Sequence, residues 1–481
     1  MVISAFLSLP ISISLNNIMQ SISGLLLVLI FILTPTSGWA QDNLYPDPPL
    51  PAARVRISDP QVTTDPNSPL FLDDEERALG LPSQETQYSS STAQPLLDLT
   101  MPENGDAARF AGQFSSDSRP GIGLNLYSAP EFKGGLIVFG PNVAMKIGGF
   151  VKADFIYDFN PIDSTDTFVT TDIPVGAPPR TNSRFHARQS RLSFDTRWLS
   201  QDQIIKIFVE GDFFSDEDRF RLRHAYGEVG SLLVGQTWTT FTDVAAAPAT
   251  LDFEGSVSNV NRRQAQARWT NKIFHDDLSL AVAVEDTRFI IDTPFGITGE
   301  PRSPSPDFVS HLRLKRERGR FQVAGLYRIV GFQPTGEAVV TKSAWGLNFT
   351  GVYLLSDHTK AYSQILFGKG IGSYRDLPDA APVASDRAGL LPLFGWMVGV
   401  THDWNESLSS NFTYAENILG TTAFQDPTDV EKTTYLAANL IYSPLERVRV
   451  GIEYLYGIRE NISGATGAAH RIQASFIFDL P

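Results

Sequence analysis

The chain has 481 residues, of which 42% are hydrophobic and 19% charged, and its formal net charge is −14. This composition is typical neither of a helical membrane protein nor of a disordered one. Cysteine is absent, which excludes a disulfide framework, a thiolate metal site and a cysteine nucleophile and is compatible with an oxidising compartment.

The first feature in chain order is the uniformly apolar run GLLLVLIFIL at residues 24–33. A membrane-spanning helix needs about 20 such residues, so this run has the length of the apolar core of a signal peptide instead. Gly38 and Ala40 provide small residues at a cleavage site, and we predict that residues 1–40 are a signal peptide cleaved near Ala40. Because this segment lacks Lys and Arg, a wrongly assigned start or a buried core helix is the alternative.

Residues 41–141 have a different composition, rich in Pro, Ser and Asp and without a sustained period of 2 or 3.6. They contain 14 acidic and 6 basic residues, and a short helix is predicted only for DDEERAL at 73–79. We predict an acidic, proline-rich, poorly ordered periplasmic extension.

Apolar and polar residues alternate with a period of 2 through much of residues 142–481. In MKIGGFVKADFIYDF at 145–159, the apolar set is Met145, Ile147, Val151, Phe155, Tyr157 and Phe159, and the polar set is Lys146, Lys152, Asp154 and Asp158. About sixteen such segments follow one another, separated by turn signals. The pattern predicts an all-β structure in which one face of every strand is apolar.

Two architectures explain such alternation: a soluble sandwich, whose strands have about 5 to 6 residues, or an outer-membrane barrel, whose strands have about 9 to 11. The alternating runs commonly reach 9 to 13 residues. Trp345 and Tyr353 share a face, as do Trp396 and Trp404, at a separation that spans roughly 19 Å in a strand tilted by about 45°. This spacing fits the two aromatic girdles of a barrel, so we predict a transmembrane antiparallel β-barrel of about sixteen strands over residues 142–481.

Basic residues are frequent at the positions that would face the interior of this barrel. This predicted basic ladder consists of Lys146, Lys152, Arg188, Arg191, Arg197, Lys206, Arg221, Arg223, Arg262, Arg268 and Arg313. Guanidinium groups suit carboxylate or phosphate, so the ladder either favours the passage of anions or is a generic charged wall that holds water.

The alternation is interrupted in RFHARQSRL, residues 184–192. Arg184, His186 and Arg188 share a parity with Leu192 and Phe194, and the two groups cannot all face lipid. A bulge near Gln189 and Ser190, or a position above the membrane plane, would explain the conflict.

A long connection, WTTFTDVAAAPATLDFEGSVSNVN at 238–261, follows the fifth predicted strand. Long loops in compact folds are usually functional or disordered. If it folds into the barrel, Asp243, Asp252 and Glu254 would face the basic ladder across the narrowest section. An external loop is the alternative.

Several ordered blocks, among them RFHARQSRLSFDTRW, KIFVEGDFF, RFRLRHAYGEVGSLLVGQTWTTFTD and RQAQARWT, resemble the DcaP-like outer-membrane porins of Gram-negative bacteria. The resemblance implies a sixteen-stranded homotrimeric channel for small anionic solutes such as dicarboxylates, with its third extracellular loop folded inward. It also implies an outer-membrane location, contact with lipid and lipopolysaccharide, and no cofactor. The family's constriction blocks correspond to Arg188, Arg191, Arg221, Arg223, Arg262, Arg268, Asp243, Asp252 and Glu254.

The sequence departs from the family at both ends. Residues 41–141 show no heptads, although members often have a coiled-coil segment there, and the chain ends FIFDLP rather than on an aromatic residue.

Three other functions remain open on the sequence: a phosphate-selective porin, a plugged receptor and a barrel-embedded enzyme. GxSxG and HExxH are absent, and the seven His residues are scattered. We therefore predict that the protein is not an enzyme, has no metal site and binds no nucleic acid.

Overall fold

The computed structural model describes residues 136–137 and 143–480, apart from 201–202, 216–217, 295 and 386. The predicted signal peptide and almost all of the predicted extension lie outside these residues. Sixteen strands form the wall of a barrel: β1 (Val143–Asp158), β2 (Arg191–Ser200), β3 (Gln203–Asp212), β4 (Arg221–Val229), β5 (Leu232–Trp238), β6 (Arg263–Ile273), β7 (His275–Glu285), β8 (Asp307–Arg316), β9 (Gly319–Pro334), β10 (Val340–Ser356), β11 (Thr359–Lys369), β12 (Pro392–Asn405), β13 (Leu408–Leu419), β14 (Val430–Leu445), β15 (Val448–Asn461) and β16 (Thr466–Asp479).

Every pair of neighbouring wall strands is antiparallel, and the first strand closes the barrel on the last. Ile147 of β1 lies opposite Phe194 of β2, and Tyr157 of β1 lies opposite Ile472 of β16. Closure leaves no unpaired strand edge, which is what allows a β-structure to cross a bilayer. The predicted antiparallel barrel of sixteen strands is confirmed.

Smaller elements complete the structure. Three short strands, Leu136–Ile137, Asn182–His186 and Gly299–Pro301, pair with wall strands, and Ala380–Ala384 pairs with Arg387–Leu390 in a separate two-stranded sheet. The described residues include short 3-10 turns at Thr170–Asp172, Val244–Ala246 and Gly372–Arg375. No helix in this part of the chain is long and apolar enough to cross a membrane.

The alternation in β1 gives its two faces opposite environments. Val151 and Phe155 are 51% and 49% exposed on the outer face, whereas Lys152 and Asp154 are 2% and 1% exposed on the inner face. Successive side chains of a strand point to opposite sides of the sheet, so a period of 2 in sequence becomes an apolar outside and a polar inside.

The connections differ in length between the two ends of the barrel. At one end they are one or two residues, for example 230–231, 317–318 and 446–447, and at the other they are mostly longer. Bacterial outer-membrane barrels have short turns toward the periplasm and long loops toward the exterior. Below, the first loop is residues 159–181, the second 213–220, the third 239–262 and the sixth 370–391.

A bulge separates two segments that both pair with β1. Asn182–His186 pairs with the C-terminal part of β1, and β2 pairs with its N-terminal part. Asp154 lies opposite His186 and Phe150 lies opposite Arg191, so residues 187–190 face the shorter stretch 151–153. The extra residue reverses the parity, and Arg184, His186 and Arg191 all lie on the inner face. The bulge is therefore the explanation for the break in alternation at residues 184–194.

Candidate pore site

The third loop is fixed to the inner face of the wall by hydrogen bonds from amide side chains. The donor and acceptor pairs are Asn348 to Phe241 O, Gln364 to Ser258 O, Asn417 to Val257 O, Asn439 to Ala249 O and Gln473 to Leu251 O. The donors lie on β10, β11, β13, β14 and β16. Buried backbone carbonyls need hydrogen-bond partners, and these five side chains provide them to an irregular segment.

Asp243 is the first of the three carboxylates predicted to face the basic ladder. It is fully buried, and its carboxylate caps the turn Val244–Ala246 by accepting a hydrogen bond from Ala245 N at 3.2 Å. Arg320 of β9 lies 2.7 Å away, and Thr350 of β10 donates a hydrogen bond at 2.8 Å. Asp243 is therefore anchored to the wall at β9 and β10.

Asp252 lies further along the third loop and is also buried. Its carboxylate accepts hydrogen bonds from the backbone N–H groups of Phe168 and Gly255, both at 2.9 Å. Burial raises the pKa of Asp252, opposed by the charge of Arg471 and by these two hydrogen bonds. The third loop is thus joined to the first.

Glu254 pairs with Arg375 of the sixth loop at 3.3 Å. The same guanidinium donates hydrogen bonds to Val257 O, Ser256 O and the side chain of Asn261, so it holds the third loop at four points. Burial raises the pKa of Glu254, and the charge of Arg375 opposes this effect. Ion pairing thus connects Asp243 and Glu254 to arginines outside the predicted ladder.

Three arginines of the predicted ladder form a compact cluster on the inner face of β2 to β4. Arg223 donates to Glu210 at 2.7 Å and to Asp212 at 2.8 Å, and Arg221 binds both oxygens of Asp212 at 3.0 and 2.9 Å. Arg191 lies 4.0 Å from Glu210. Three guanidinium groups share two carboxylates, so the arginine cluster carries excess positive charge.

The third loop reaches this arginine cluster through an aromatic ring. Phe253 stacks on Phe214 of the second loop, with ring centroids 4.0 Å apart and planes at 6°. The guanidinium of Arg221 lies 5.3 Å from the centre of the Phe253 ring, and that of Arg223 lies 5.9 Å away. These distances are within the range of cation–π attraction, which holds the rings beside the charged groups.

The other members of the predicted ladder are spread over the barrel. Lys152 contacts Leu251 O and forms an ion pair with Asp154 at 3.2 Å. Arg188 lies in the bulge and pairs with Asp166 of the first loop and Asp218 of the second. Both residues therefore link the wall to loops.

Members nearer the short turns pair mainly within the wall. Asp195 forms ion pairs with Arg197 at 2.8 Å and with Lys206 at 3.6 Å. Arg313 donates a hydrogen bond to the side-chain oxygen of Gln322 at 2.7 Å. Arg268 is buried, and its Nε has no hydrogen-bond partner in the described part of the chain. Lys146 is half-buried on the inner face of β1.

Arg262, also a member of the predicted ladder, lies in the third loop rather than in a wall strand. It donates hydrogen bonds to the backbone and side-chain oxygens of Ser373, both at 3.0 Å.

The sequence analysis did not select a buried charge cluster centred on Arg328. This arginine is fully buried on β9 and lies 3.1 Å from Asp307 and 3.5 Å from Asp379, and the Tyr374 hydroxyl donates to Asp307 at 2.9 Å. Its inward direction follows from the alternation in GRFQVAGLYRIVG, residues 319–331. Its partners come from other strands and loops, which the pattern of one strand does not reveal.

The described residues contain no group of three or more His, Cys, Asp or Glu side chains placed to hold a metal ion. Charged and amide side chains of the interior are instead joined to one another and to loop backbone, an arrangement suited to a polar passage.

Fold and site together define a sixteen-stranded outer-membrane barrel with a charged interior. The sequence profile of the DcaP outer membrane protein family matches residues 138–478, and the chain belongs to that family. No curated protein gives a significant sequence match.

A solved outer-membrane channel has the same fold. The outer membrane channel DcaP of Acinetobacter baumannii superposes with a TM-score of 0.63 at 21% identity, covering 70% of this chain and 98% of that one. The anion-selective porin from Comamonas acidovorans gives 0.48 at 10% identity, covering 70% and 100%. OmpT of Vibrio cholerae gives 0.47 at 14% identity, covering 72% and 100%. At 21% identity the likeness to the Acinetobacter channel concerns the fold alone, and the family assignment rests on the profile.

Proposed function

We propose that the protein is a passive, water-filled channel of the outer membrane that favours small anionic solutes such as dicarboxylates. The observation that carries this proposal is the arginine cluster, in which Arg191, Arg221 and Arg223 outnumber Glu210 and Asp212 on the inner face. An excess of fixed positive charge lowers the free energy of an anion beside it and raises that of a cation.

The third loop is the proposed constriction. Its hydrogen bonds to inner side chains of five strands support an inward fold, and its contact with the arginine cluster through Phe253 supports a narrow section at that level. The loop carboxylates act here mainly as anchors, because Asp243 and Glu254 are paired with Arg320 and Arg375. In this arrangement the electric field in the passage comes chiefly from the arginine cluster.

The proposal also covers the export, the location and the assembly of the protein. Residues 1–40 direct export and are removed, and residues 41–141 extend into the periplasm. The barrel assembles as a homotrimer in the outer membrane of a Gram-negative bacterium, in contact with phospholipid and lipopolysaccharide. Family membership supports the location, and the apolar outer face of β1, with Val151 and Phe155 exposed, supports contact with acyl chains.

Recording from the purified full-length protein in a planar bilayer under a potassium chloride gradient tests the proposal. We expect a reversal potential of the anion-selective sign, and succinate should carry current when it replaces chloride. A cation-selective reversal potential would refute the proposed function. Preferential conduction of phosphate over succinate would identify a phosphate channel instead.

A further inference from the structure

The first loop buries apolar side chains against the inner face of the barrel. Phe168 and Ile173 are fully buried, and Ile162 is 2% exposed. They belong to one apolar cluster with residues of the third loop and of the wall: Ala246, Val257, Tyr362, Met397, Ala415, Tyr435, Ala437, Leu455 and Ala469. Loops usually lie on the surface because their polar backbone needs water, so this burial requires explanation.

Two glycines of the wall make room for these side chains. A Cβ atom at Gly457 of β15 would lie 2.9 Å from the Phe168 ring and 3.0 Å from Ile173. At Gly467 of β16 it would lie 2.8 Å from Pro174 O and 3.3 Å from Ile173. A larger residue at either position would displace the first loop, so the two glycines form a socket for Phe168 and Ile173.

The backbone of the first loop is held by arginines beside the socket. Arg471 of β16 pairs with Asp158 at 2.6 Å and donates to Ser164 O at 2.8 Å, while Arg459 of β15 donates to Thr171 O at 2.6 Å. These contacts satisfy carbonyl groups that burial would otherwise leave without partners. Both ends of the buried stretch are thereby fixed to the wall.

The first and third loops are directly joined at Asp252. Phe168 fills the socket with its ring, and its backbone N–H donates to Asp252 at 2.9 Å. Glu453 of β15 accepts hydrogen bonds from the N–H groups of Leu251 and Asp252 at 2.9 and 2.7 Å. The middle of the third loop is therefore held from one side by the first loop and from another by the wall.

We infer that the first loop is a second constriction element, which fills the lumen beside β14 to β16 and fixes the third loop in place through Asp252. In this arrangement Asp252 is a positioning residue, and the passage runs along the arginine cluster on the inner face of β2 to β4. The inference rests on the proposed function and deepens it, because it states which loops set the width of the passage.

The first experiment compares two variants of the full-length protein, Phe168→Ala, which empties the socket, and Gly457→Val, which blocks it. Both should raise the single-channel conductance by roughly 1.5-fold and increase open-channel noise, because a released loop widens and destabilises the passage. Phe424→Ala removes an exposed loop aromatic and serves as the matched control. Gel electrophoresis of unheated samples shows whether the two socket variants fold into barrels. If both fold and both have wild-type conductance and noise, the inference is overturned.

A second measurement does not depend on the folding of those variants. The chain lacks cysteine, so Thr170→Cys and Ala177→Cys each introduce a single thiol, the first at a buried position and the second at an exposed position of the same loop. A methanethiosulfonate reagent should modify the cysteine at 170 roughly 100-fold more slowly than that at 177, since it must wait for local opening. Equal rates would show that the first loop is not docked.

The role of Asp252 is tested by Asp252→Asn and Asp252→Ala. Asn keeps an acceptor oxygen for the Phe168 N–H group without the charge, and Ala has neither. We expect Ala to raise the conductance and Asn to restore most of the wild-type value, with the reversal potential little changed in both. An equal shift of the reversal potential in both variants would show that Asp252 acts through its charge. A cation-selective wild-type channel would refute the proposed function but not the inference about the first loop, because the cysteine modification rates measure the docking of that loop separately.

Discussion

The carboxylate of Glu453 on β15 accepts a hydrogen bond at 2.7 Å from the backbone N–H of Asp252, 201 residues earlier in the chain. Its other oxygen accepts from Leu251 N at 2.9 Å and from the Asn439 side chain at 2.8 Å. One side chain thus satisfies two consecutive amide groups in the middle of the third loop.

Glu453→Ala should loosen the third loop, because two buried N–H groups lose their acceptor at a cost of about 1–3 kcal/mol each. We expect increased flicker in single-channel recordings, with the sign of the reversal potential retained. Glu460→Gln changes a carboxylate on the same strand and is the control. An Ala variant as quiet as the wild type would show that the other loop contacts are sufficient.

The arginine cluster makes a separate prediction about selectivity. Arg221 is its most exposed member, so Arg221→Gln removes one charge beside the passage without emptying a fully buried site. The ratio of anion to cation permeability should fall roughly sevenfold, because one unit charge at about 7 Å in water changes the energies of an anion and of a cation by about 0.6 kcal/mol each, in opposite directions. Arg316→Gln, at an exposed position near a short turn, should leave the ratio unchanged. Equal effects would show that Arg221 does not border the passage.

The faces of the strands could be predicted from sequence because a period of 2 is a local property. Lys152 and Asp154 point inward in β1 for the same reason that Val151 and Phe155 point outward. The positions of Arg221 and Arg223 in the wall followed in the same way, and the parity conflict at residues 184–194 pointed to the bulge.

The partners of these residues could not be predicted by the same reasoning. Asp243 pairs with Arg320, and Glu254 pairs with Arg375 from a loop 121 residues away. Such pairs depend on how irregular loops cross the interior, and the loops show no periodicity to indicate their path. The burial of Phe168 is a further example, since its socket consists of glycines on two neighbouring strands near the end of the sequence.

Asp166 should make the attachment of the first loop sensitive to acid. Burial raises its pKa, but hydrogen bonds from Arg184 and Arg188 outweigh that effect and leave the pKa below its ordinary value of 3.8. Because the pKa is lowered on folding, the ionised carboxylate stabilises the folded state at every pH above the ordinary pKa. This stabilisation is lost as the pH falls through the lower pKa of the folded state. We expect open-channel noise to increase only in strongly acidic solution.

Two variants check the assignment to Asp166. Asp166→Asn should show the acid-state noise already at neutral pH and little further change on acidification. Asp163→Asn alters an exposed carboxylate of the same loop, which pairs with Arg180 at 3.0 Å, and should behave like the wild type. Unchanged acid sensitivity in Asp166→Asn would assign the effect to another group.

Gly149 should be required for the pairing of β1 with β2. Its φ of 123° is unfavourable for residues with a Cβ atom, and a Cβ there would lie 2.2 Å from Arg191 O. Gly149→Ala should therefore lower the free energy of unfolding by about 3 kcal/mol or more, from backbone strain and the clash together. Gly230, with a φ of 55° and open space around it, is the matched control, and its Ala variant should cost about 1 kcal/mol. Unfolding of both variants in urea can be followed by gel electrophoresis of unheated samples, in which the folded barrel runs as a separate band. Equal urea midpoints for the two variants would show that the barrel does not require glycine at position 149.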